Sequence, residues 1–239
     1  MKISLLTPTR GRPLFMERLW ASALVLADKP KDVEIVFYVD EDDGKSIAKA
    51  RELNTLTSYG IVKYIIGARI ILSKMWNACC EISAQEIMMH CGDDIVFRTG
   101  GWDSLVRTEF QKVPDKILFV YGRDGITPDK EEFGTHGFIH GNWVKTVGYF
   151  VPPYFAYGKN DHWLTDVATM VGRKKFVPAL YTEHMHHVVG KSVLDQTYKD
   201  AIQRGMEGNH RKLWEDTLDE RKKDAEKLSS FVRDFKGCT

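Results

Sequence analysis

The sequence predicts an α/β fold in which helices flank a mostly parallel sheet and a helical extension follows at the C-terminus. Through the first hundred residues, apolar runs of strand length alternate with segments of helical spacing. This alternation is typical of parallel strands joined by right-handed crossovers. The runs are apolar almost throughout, as in strands that are buried on both faces. Polar residues follow each run at the point where the strand would end.

The elements of the first half follow from this alternation. Strands are predicted at residues 2–7, 33–39, 61–66 and 87–89, with a short β-branched and aromatic piece at 95–97. Helices are predicted at residues 14–26, 47–56 and 73–82, and Pro13 suits the first position of the first one. These elements form the first half, residues 1–100, of a domain that is predicted to span residues 1–190.

The second half of this domain, residues 101–190, has a less regular pattern. A helix is predicted at residues 102–111 and a strand at 116–121, followed by a segment rich in glycine, aromatic residues and histidine at 133–158. That composition is typical of a binding surface, and the alternative is a loop packed by its own rings. A helix that begins near Asn160 and two short strands around Pro178 complete the domain. Helices at 194–204 and 209–235 form the extension, residues 191–239.

Two adjacent carboxylates, Asp93 and Asp94, follow the fourth predicted strand directly after Cys91 and Gly92. Ligands of open α/β sheets bind outside the carboxyl ends of the strands. Carboxylate oxygens suit Mg²⁺ or Mn²⁺, which can bridge a carboxylate to substrate phosphates. The strand end therefore predicts a metal or phosphate site, and the alternative is a solvated turn.

The other strand ends carry polar residues of complementary charge. Thr9, Arg10 and Arg12 lie between the first strand and the start of a helix, a position that receives anions well. The alternative for them is a surface turn with solvated arginines. Four acids at residues 40–43 follow the second strand and predict either a helix N-cap region or a ligand site. Arg69 follows the third strand.

Three histidines near the end of the domain are a further metal signal. His184 and His186 share a face of an extended segment, and His187 points away from it. No pair of cysteines has the C-x-x-C spacing of a structural zinc site. The three histidines therefore indicate a metal site other than a structural zinc centre.

Composition excludes several classes of protein. The net charge is +1 and the pI is about 7.7, so no overall field indicates a nucleic-acid or membrane-surface protein. The N-terminus has too short an apolar run for a secretory signal, and no stretch approaches the ~18 apolar residues of a membrane span. The four cysteines do not form a disulfide framework. These features predict a cytoplasmic protein with no membrane span.

The order of these motifs resembles that of the GT-A nucleotide-sugar glycosyltransferases, which have a Rossmann-like sheet, and in particular the group that includes glycosyltransferase family 2. The resemblance covers about residues 1–190. It consists of a first strand ending in TPTR, a second ending in VDEDD, a Gly-Ala-Arg loop before the helix SKMWNA and the Gly-Asp-Asp strand end. An Asn-Asp pair at a helix start and a histidine-bearing strand follow. The usual D-x-D spelling is absent, since position 92 is glycine. The small size resembles that of bacterial or phage-borne members, which for a phage would mean the host cytoplasm.

The resemblance implies roles for the residues at the strand ends. Asp40 would read the base, Asp93 would contact the ribose and Asp94 would bind Mn²⁺ or Mg²⁺. Either His184 or His186 would supply a further metal ligand. The remaining residues expected to border the nucleotide are Thr7, Pro8, Thr9, Arg10, Arg12, Asp42 and Arg69.

The activity that the resemblance implies is metal-dependent sugar transfer from a nucleotide-sugar donor, with a UDP-sugar as first choice. The acceptor would be a hydroxyl on a protein, a glycan or modified DNA. Asp161 resembles the catalytic base of the family in position, and the alternative is a helix cap. A retaining enzyme would not need this base, so the stereochemistry stays open.

Three other functions are compatible with parts of the pattern. A nucleotidyltransferase acting on a sugar phosphate would share the sheet and the carboxylates, but it favours a glycine-rich phosphate loop with a lysine, which TPTRGRP lacks. A non-catalytic nucleotide-sugar-binding protein would not require both Asp94 and Asp161. A hydrolytic metalloprotein is the least supported hypothesis, because the H-E-x-x-H motif is absent.

Overall fold

A computed structural model describes residues 1–56, 58, 60–127 and 132–237. Within these residues, one eight-stranded sheet has the strand order β3-β2-β1-β4-β7-β6-β8-β5. The strands are β1 Ile3–Thr9, β2 Val33–Asp40, β3 Ile61–Gly67, β4 Ile87–His90, β5 Ile95–Phe97, β6 Phe119–Arg123, β7 Gly137–His140 and β8 Lys174–His184. The helices are α1 Pro13–Val25, α2 Gly44–Thr55, α3 Leu72–Ile82, α4 Trp102–Gln111, α5 Gly141–Val147, α6 Asn160–Val171, α7 Gln196–Glu207, α8 His210–Asp216 and α9 Leu218–Gly237.

The sheet confirms the predicted fold class. Four strand pairs are parallel, namely β1–β2, β1–β4, β2–β3 and β6–β8, and three are antiparallel, namely β4–β7, β6–β7 and β5–β8. The first four strands are thus parallel neighbours, and their carboxyl ends meet at one edge. One apolar cluster includes residues of α1, α2 and α4, and a second includes residues of α3, α5, α6 and α9. None of the helices in the described residues is both long and apolar enough to cross a bilayer.

The first strand is longer than predicted. Proline lacks an N–H group, so we expected the strand to end at Thr7, but β1 continues through Pro8 to Thr9. Its pairing with β4 stops at Leu6 and His90, whereas its pairing with β2 continues to Thr9. Pro8 therefore lies where one side of β1 has no partner strand, a position at which the missing donor is tolerated. The extra residues carry Thr9 directly to the cavity described below.

The aromatic segment at residues 133–158 contributes both to the core and to the cavity described below, which His136 and Tyr157 line. It contains β7 and α5, and Phe138, Trp143 and Phe155 are almost fully buried. A Cβ at Gly137 would lie 2.0 Å from the Phe119 ring, so only glycine lets β7 pack there. Composition signalled rings packed among small residues, and these rings pack against the sheet.

The C-terminal part is helical, as predicted, but it packs on the domain. The predicted helix at 209–235 is interrupted at Thr217, which separates α8 from α9. Helix α9 packs against α5 and α6, and Leu228 is fully buried in the second apolar cluster. Helix α7 lies over the strand ends instead. The division into two domains at residue 190 stays a prediction.

Candidate functional site

A cavity of about 260 Å³ opens at the carboxyl ends of β1, β2 and β4, under helix α7. It lies where the parallel strand ends meet, the position at which such sheets bind ligands. Among the predicted site residues, Thr7 and Asp42 do not line it: Thr7 is buried within β1, and Asp42 is exposed. The predicted residues that line the cavity are Pro8, Thr9, Arg10, Arg12, Asp40, Arg69, Asp93, Asp94, Asp161, His184 and His186.

The end of β2 forms an ion-pair network with two arginines. Arg10 Nη1 donates to Asp40 Oδ2 at 2.8 Å, and Arg10 also donates to Asp42 through both terminal nitrogens. Arg69 pairs with Asp200 of α7 at 2.7 Å. Asp43 instead caps α2 by accepting from the Ser46 amide, so the acidic run contains both a cap and site residues. Each arginine thus has an acidic partner within the chain.

One oxygen of Asp40 is left without a partner. Asp40 is 2% exposed, and its Oδ1 makes no hydrogen bond, although the residue lines the cavity. Burial raises the pKa of Asp40, and the hydrogen bond from Arg10 opposes that rise. Asp40 thus carries an acceptor oxygen that the described residues leave unused, on a side chain that lines the cavity.

Arg12 and Asp93 form a buried link between the first strand, the fourth strand and α7. Arg12 Nη1 donates to Asp93 Oδ1 at 2.9 Å, while Nε and Nη2 donate to Asp195 at 2.8 Å each. Thr9 Oγ1 donates to Asp93 Oδ2 at 2.8 Å. The guanidinium of Arg12 lies 3.9 Å from the centre of the Tyr198 ring. Arg12 therefore has no free face for an anion, contrary to the expectation of an anion-binding arginine.

Asp94 and His184 meet at the cavity wall. His184 Nε2 lies 3.2 Å from Asp94 Oδ2, and the Tyr198 hydroxyl donates to the same oxygen at 2.7 Å. Burial works against charge on both groups. For Asp94 the hydrogen bond and charge of His184 outweigh burial and lower its pKa, and for His184 the bond to Asp94 outweighs burial and raises its pKa. The hydrogen bond thus favours the ionised form of Asp94 and the protonated form of His184.

The structure distinguishes the two candidate histidines. Strand β8 ends at His184, and His186 caps a short 3₁₀ turn, His187–Val189, by accepting from the Val188 amide. Both line the cavity, but only His184 is within hydrogen-bonding reach of Asp94. Within the described residues, no group of three His, Cys, Asp or Glu side chains is arranged to hold a metal ion.

Asp161 is the second residue of α6 and not its N-cap. The N-cap is Lys159, which has φ of +63° and no side-chain capping hydrogen bond. Asp161 Oδ1 accepts from the backbone N–H of His162 at 2.8 Å and contacts its Nδ1 at 2.9 Å. Burial would raise the pKa of Asp161, but the hydrogen bonds and charge of His162 lower it overall. Oδ2 has no hydrogen-bond partner among the described residues, and the side chain lines the cavity.

Several cavity residues were missed by sequence reasoning. Tyr198 and Arg204 lie on α7, more than a hundred residues from the strand ends that they cover, and no local signal marks them. His90 and His136 also line the cavity. His90 ends β4 directly before the Gly-Asp-Asp motif, so the strand-end rule that found Asp93 could have found it. His136 precedes β7, a strand that was not predicted.

Comparison with known proteins identifies the fold but no sequence family. No protein-family profile and no curated protein matches the chain by sequence. A mannosyltransferase from Pyrobaculum calidifontis, solved with GDP-mannose and Mn²⁺, is similar in structure, with a TM-score of 0.65 and 13% identity over 78% of this chain and 57% of that chain.

A second similar structure is TarS from S. aureus, with a TM-score of 0.61 and 12% identity over 77% of this chain and 37% of that chain. Its residues 1–349 in complex with UDP-GlcNAc give 0.58 and 16% over 77% of this chain and 60% of that chain. The chain thus spans well under two thirds of the length of these structures. It has a GT-A-like glycosyltransferase fold.

Proposed function

We propose that the chain is a glycosyltransferase that moves a sugar from a nucleoside-diphosphate sugar, with UDP as first choice, to an acceptor hydroxyl. The observation that carries this proposal is the convergence of three groups on one cavity: the free oxygen of Asp40, the Asp94–His184 pair and the free oxygen of Asp161. The similar structures support it, because two of them were solved with GDP-mannose or UDP-GlcNAc. The identity to them is low, so activity is inferred from the site.

The free oxygen of Asp40 is the proposed base-reading group. It is a buried acceptor with no donor of its own, so a base that presents an N–H to it gains a hydrogen bond that would otherwise be missing. Uracil presents N3–H and guanine presents N1–H, whereas the ring nitrogens at these edges of cytosine and adenine are acceptors. Asp40 therefore favours uracil or guanine nucleotides.

Asp94 and His184 are the proposed protein ligands of a divalent cation. A carboxylate and an imidazole at 3.2 Å from one another fit Mn²⁺, and a Mg²⁺ or Mn²⁺ site of this kind is completed by substrate phosphates and water. The donor set therefore fits the ion, although two protein ligands alone do not enclose it. When bound, the cation would neutralise the negative charge that develops on the departing diphosphate. Tyr198 donates to Asp94 Oδ2 and so would orient the carboxylate that holds the cation.

Asp161 is the proposed general base. Its Oδ1 is held by His162, which fixes the direction of the carboxylate, while Oδ2 is available to accept the proton of the acceptor hydroxyl. A base on the acceptor side corresponds to direct displacement, so we propose that transfer inverts the anomeric centre. His162 keeps the pKa of Asp161 low, so the carboxylate is ionised at neutral pH and ready to accept a proton.

The experiment that tests the proposed function is a donor-hydrolysis assay. UDP-glucose, UDP-galactose, UDP-GlcNAc and GDP-mannose are incubated with the protein and Mn²⁺, and release of the nucleoside diphosphate is measured. We expect release from at least one donor and a loss of about 10³-fold in Asp94→Ala, because the charge of the leaving group is no longer offset. Asp219→Ala, an exposed carboxylate of α9 outside the cavity, is the matched control. Full activity of Asp94→Ala would remove the metal assignment, and no hydrolysis by wild type would contradict the proposal.

A further inference from the structure

Two histidines in the cavity wall have no hydrogen-bond partner for either ring nitrogen among the residues that the structure describes. They are His90, which is 6% exposed, and His136, which is 8% exposed. Both line the cavity. His90 ends β4, and His136 directly precedes β7, the antiparallel neighbour of β4, so the two lie side by side at the edge of the sheet. They form what we call the histidine wall.

Unpaired nitrogens at this depth are unusual. Most buried polar groups in folded proteins have at least one partner, and a buried group without one destabilises the fold. His140, the last residue of β7, illustrates the usual arrangement, since its Nδ1 accepts from the Asn142 amide. The histidine wall therefore has a hydrogen-bonding capacity that the described residues do not use, on two side chains that line the cavity.

The wall is rigid on the side of His90. The His90 ring packs on Trp76 with 3.9 Å between ring centres, and Trp76 is itself fixed because its Nε1 donates to the carbonyl oxygens of Leu6 and Cys91 at 3.0 and 3.2 Å. His136 packs edge-on against His184 at 4.7 Å between ring centres. The ring nitrogens are thus held in place before a ligand arrives, which favours recognition over induced fit.

The roles proposed for Asp94, His184 and Asp161 would put the transferred sugar beside the histidine wall. The diphosphate end is marked by Asp94 and His184, and the acceptor end by Asp161. His136 packs on His184, and His90 lines the same cavity as Asp161. A group that reacts between the leaving diphosphate and the base passes between these two ends.

We propose that His90 and His136 bind hydroxyl groups of the transferred sugar and select a neutral hexose over a uronic acid. The inference rests on the proposed function and adds the class of donor. A neutral imidazole offers one donor and one acceptor, and a hydroxyl offers the same two, so the groups match in either direction. A uronate carboxylate can only accept, and it would lie beside the carboxylates of Asp94 and Asp161, which repel it.

The test is isothermal titration of UDP, UDP-glucose, UDP-galactose, UDP-GlcNAc and UDP-glucuronic acid in the presence of Mn²⁺. We expect wild type to bind one neutral-hexose donor at least about tenfold more tightly than UDP-glucuronic acid. His90→Phe keeps an aromatic ring on Trp76 and removes both ring nitrogens. His136→Phe keeps an aromatic ring beside His184 and likewise removes both nitrogens. We expect each variant to bind the hexose donor about tenfold more weakly than wild type does, because hydrogen bonds to the sugar are lost. The affinity for UDP itself should fall by less than about twofold.

His140→Phe is the matched control, since it removes a partnered histidine outside the cavity. It should lower the melting temperature and leave binding unchanged, whereas the two wall variants should not lower the melting temperature, because each replaces unpaired polar atoms by apolar ones. Equal weakening of UDP and donor, an unchanged hexose affinity in both variants, or a marked loss of melting temperature in them would overturn the inference. Loss of the Mn²⁺ effect on UDP binding in His136→Phe would make that residue a metal ligand instead and likewise overturn it. No UDP binding by wild type would overturn the proposed function as well.

Discussion

The two sides of the cavity differ in how their polar groups are partnered. On the side of β1 and β2, Arg10, Arg12 and Arg69 are all paired with acids, and two of those pairs reach α7. On the side of β4, β7 and α6, both nitrogens of His90 and His136 are unpaired. The arginines of the first side are partnered within the chain, whereas the ring nitrogens of the second side have no partner among the described residues.

This difference separates what shapes the cavity from what a ligand must supply. Arg12 joins Asp93 of the strand ends to Asp195 at the start of α7, so the ion pairs on the first side hold the helix over the cavity. The histidine wall contributes nothing comparable to the fold. Binding groups that are not used for stability are typical of functional sites. The free oxygen of Asp40 is the exception on the first side, and it is where we place the base.

The largest expected effect is on the chemistry of the second side. Asp161→Asn should lower the transfer rate by about 10³-fold, because an amide cannot accept the proton of the acceptor, while the affinity for UDP stays unchanged. Transfer kinetics and isothermal titration measure the two quantities. Asp166→Asn, on the same helix and paired with Arg221, is the control and should keep the transfer rate. Unchanged transfer in Asp161→Asn would remove the base assignment.

A smaller effect is expected for the ion pairs of the first side. Arg12→Ala should lower the free energy of unfolding by about 3 kcal/mol, since it leaves the buried Asp93 without its charged partner. Urea unfolding followed by circular dichroism measures the change. Arg98→Ala removes the ion pair with Glu183, in which the arginine side chain is 48% exposed. It should change the free energy of unfolding by less than about 1 kcal/mol. Similar values for the two variants would show that the first side does not hold the fold.

The smallest effect is a pH dependence that comes from the histidine wall. Burial lowers the pKa of His90 from its ordinary value near 6.5 to about 4. Between these values the unfolded chain holds more protons than the folded one, so stability falls as the pH falls, by up to about 1.4 kcal/mol per unit.

His90→Phe removes this contribution, and urea unfolding at pH 7, 6 and 5 measures it. The stability of the variant should fall less steeply than that of wild type as the pH decreases. The remaining slope of the variant includes His136, whose pKa burial also lowers. Parallel pH profiles for variant and wild type would mean that His90 is not held neutral.

Sequence reasoning recovered the parts of the molecule that follow from strand order. Parallel strands bring their carboxyl ends to one edge, so Thr9, Asp40 and Asp94 could be placed together before any coordinates. The helix starting at Asn160 was also predicted, which placed Asp161. The structure brings these residues to one cavity, and their roles stay proposals.

The remainder depended on contacts that are distant in the chain. Tyr198 contacts Asp94 across 104 residues, and nothing in the local sequence of helix α7 indicates that contact. The partners of Arg12 were equally hidden, so an arginine expected to bind an anion proved to be paired within the chain. Composition could not show whether Trp143 and Phe155 face a ligand or the core, because aromatic residues are common in both.

The most direct test of the account is the titration of wild-type protein with UDP, with and without Mn²⁺. In our proposal Asp40 accepts from the base, and Asp94 and His184 hold the cation. We therefore expect Mn²⁺ to strengthen the binding of UDP at least about tenfold, and we expect Asp94→Ala to lose that gain. Binding that is absent, or equally tight with and without the cation in both proteins, would contradict it.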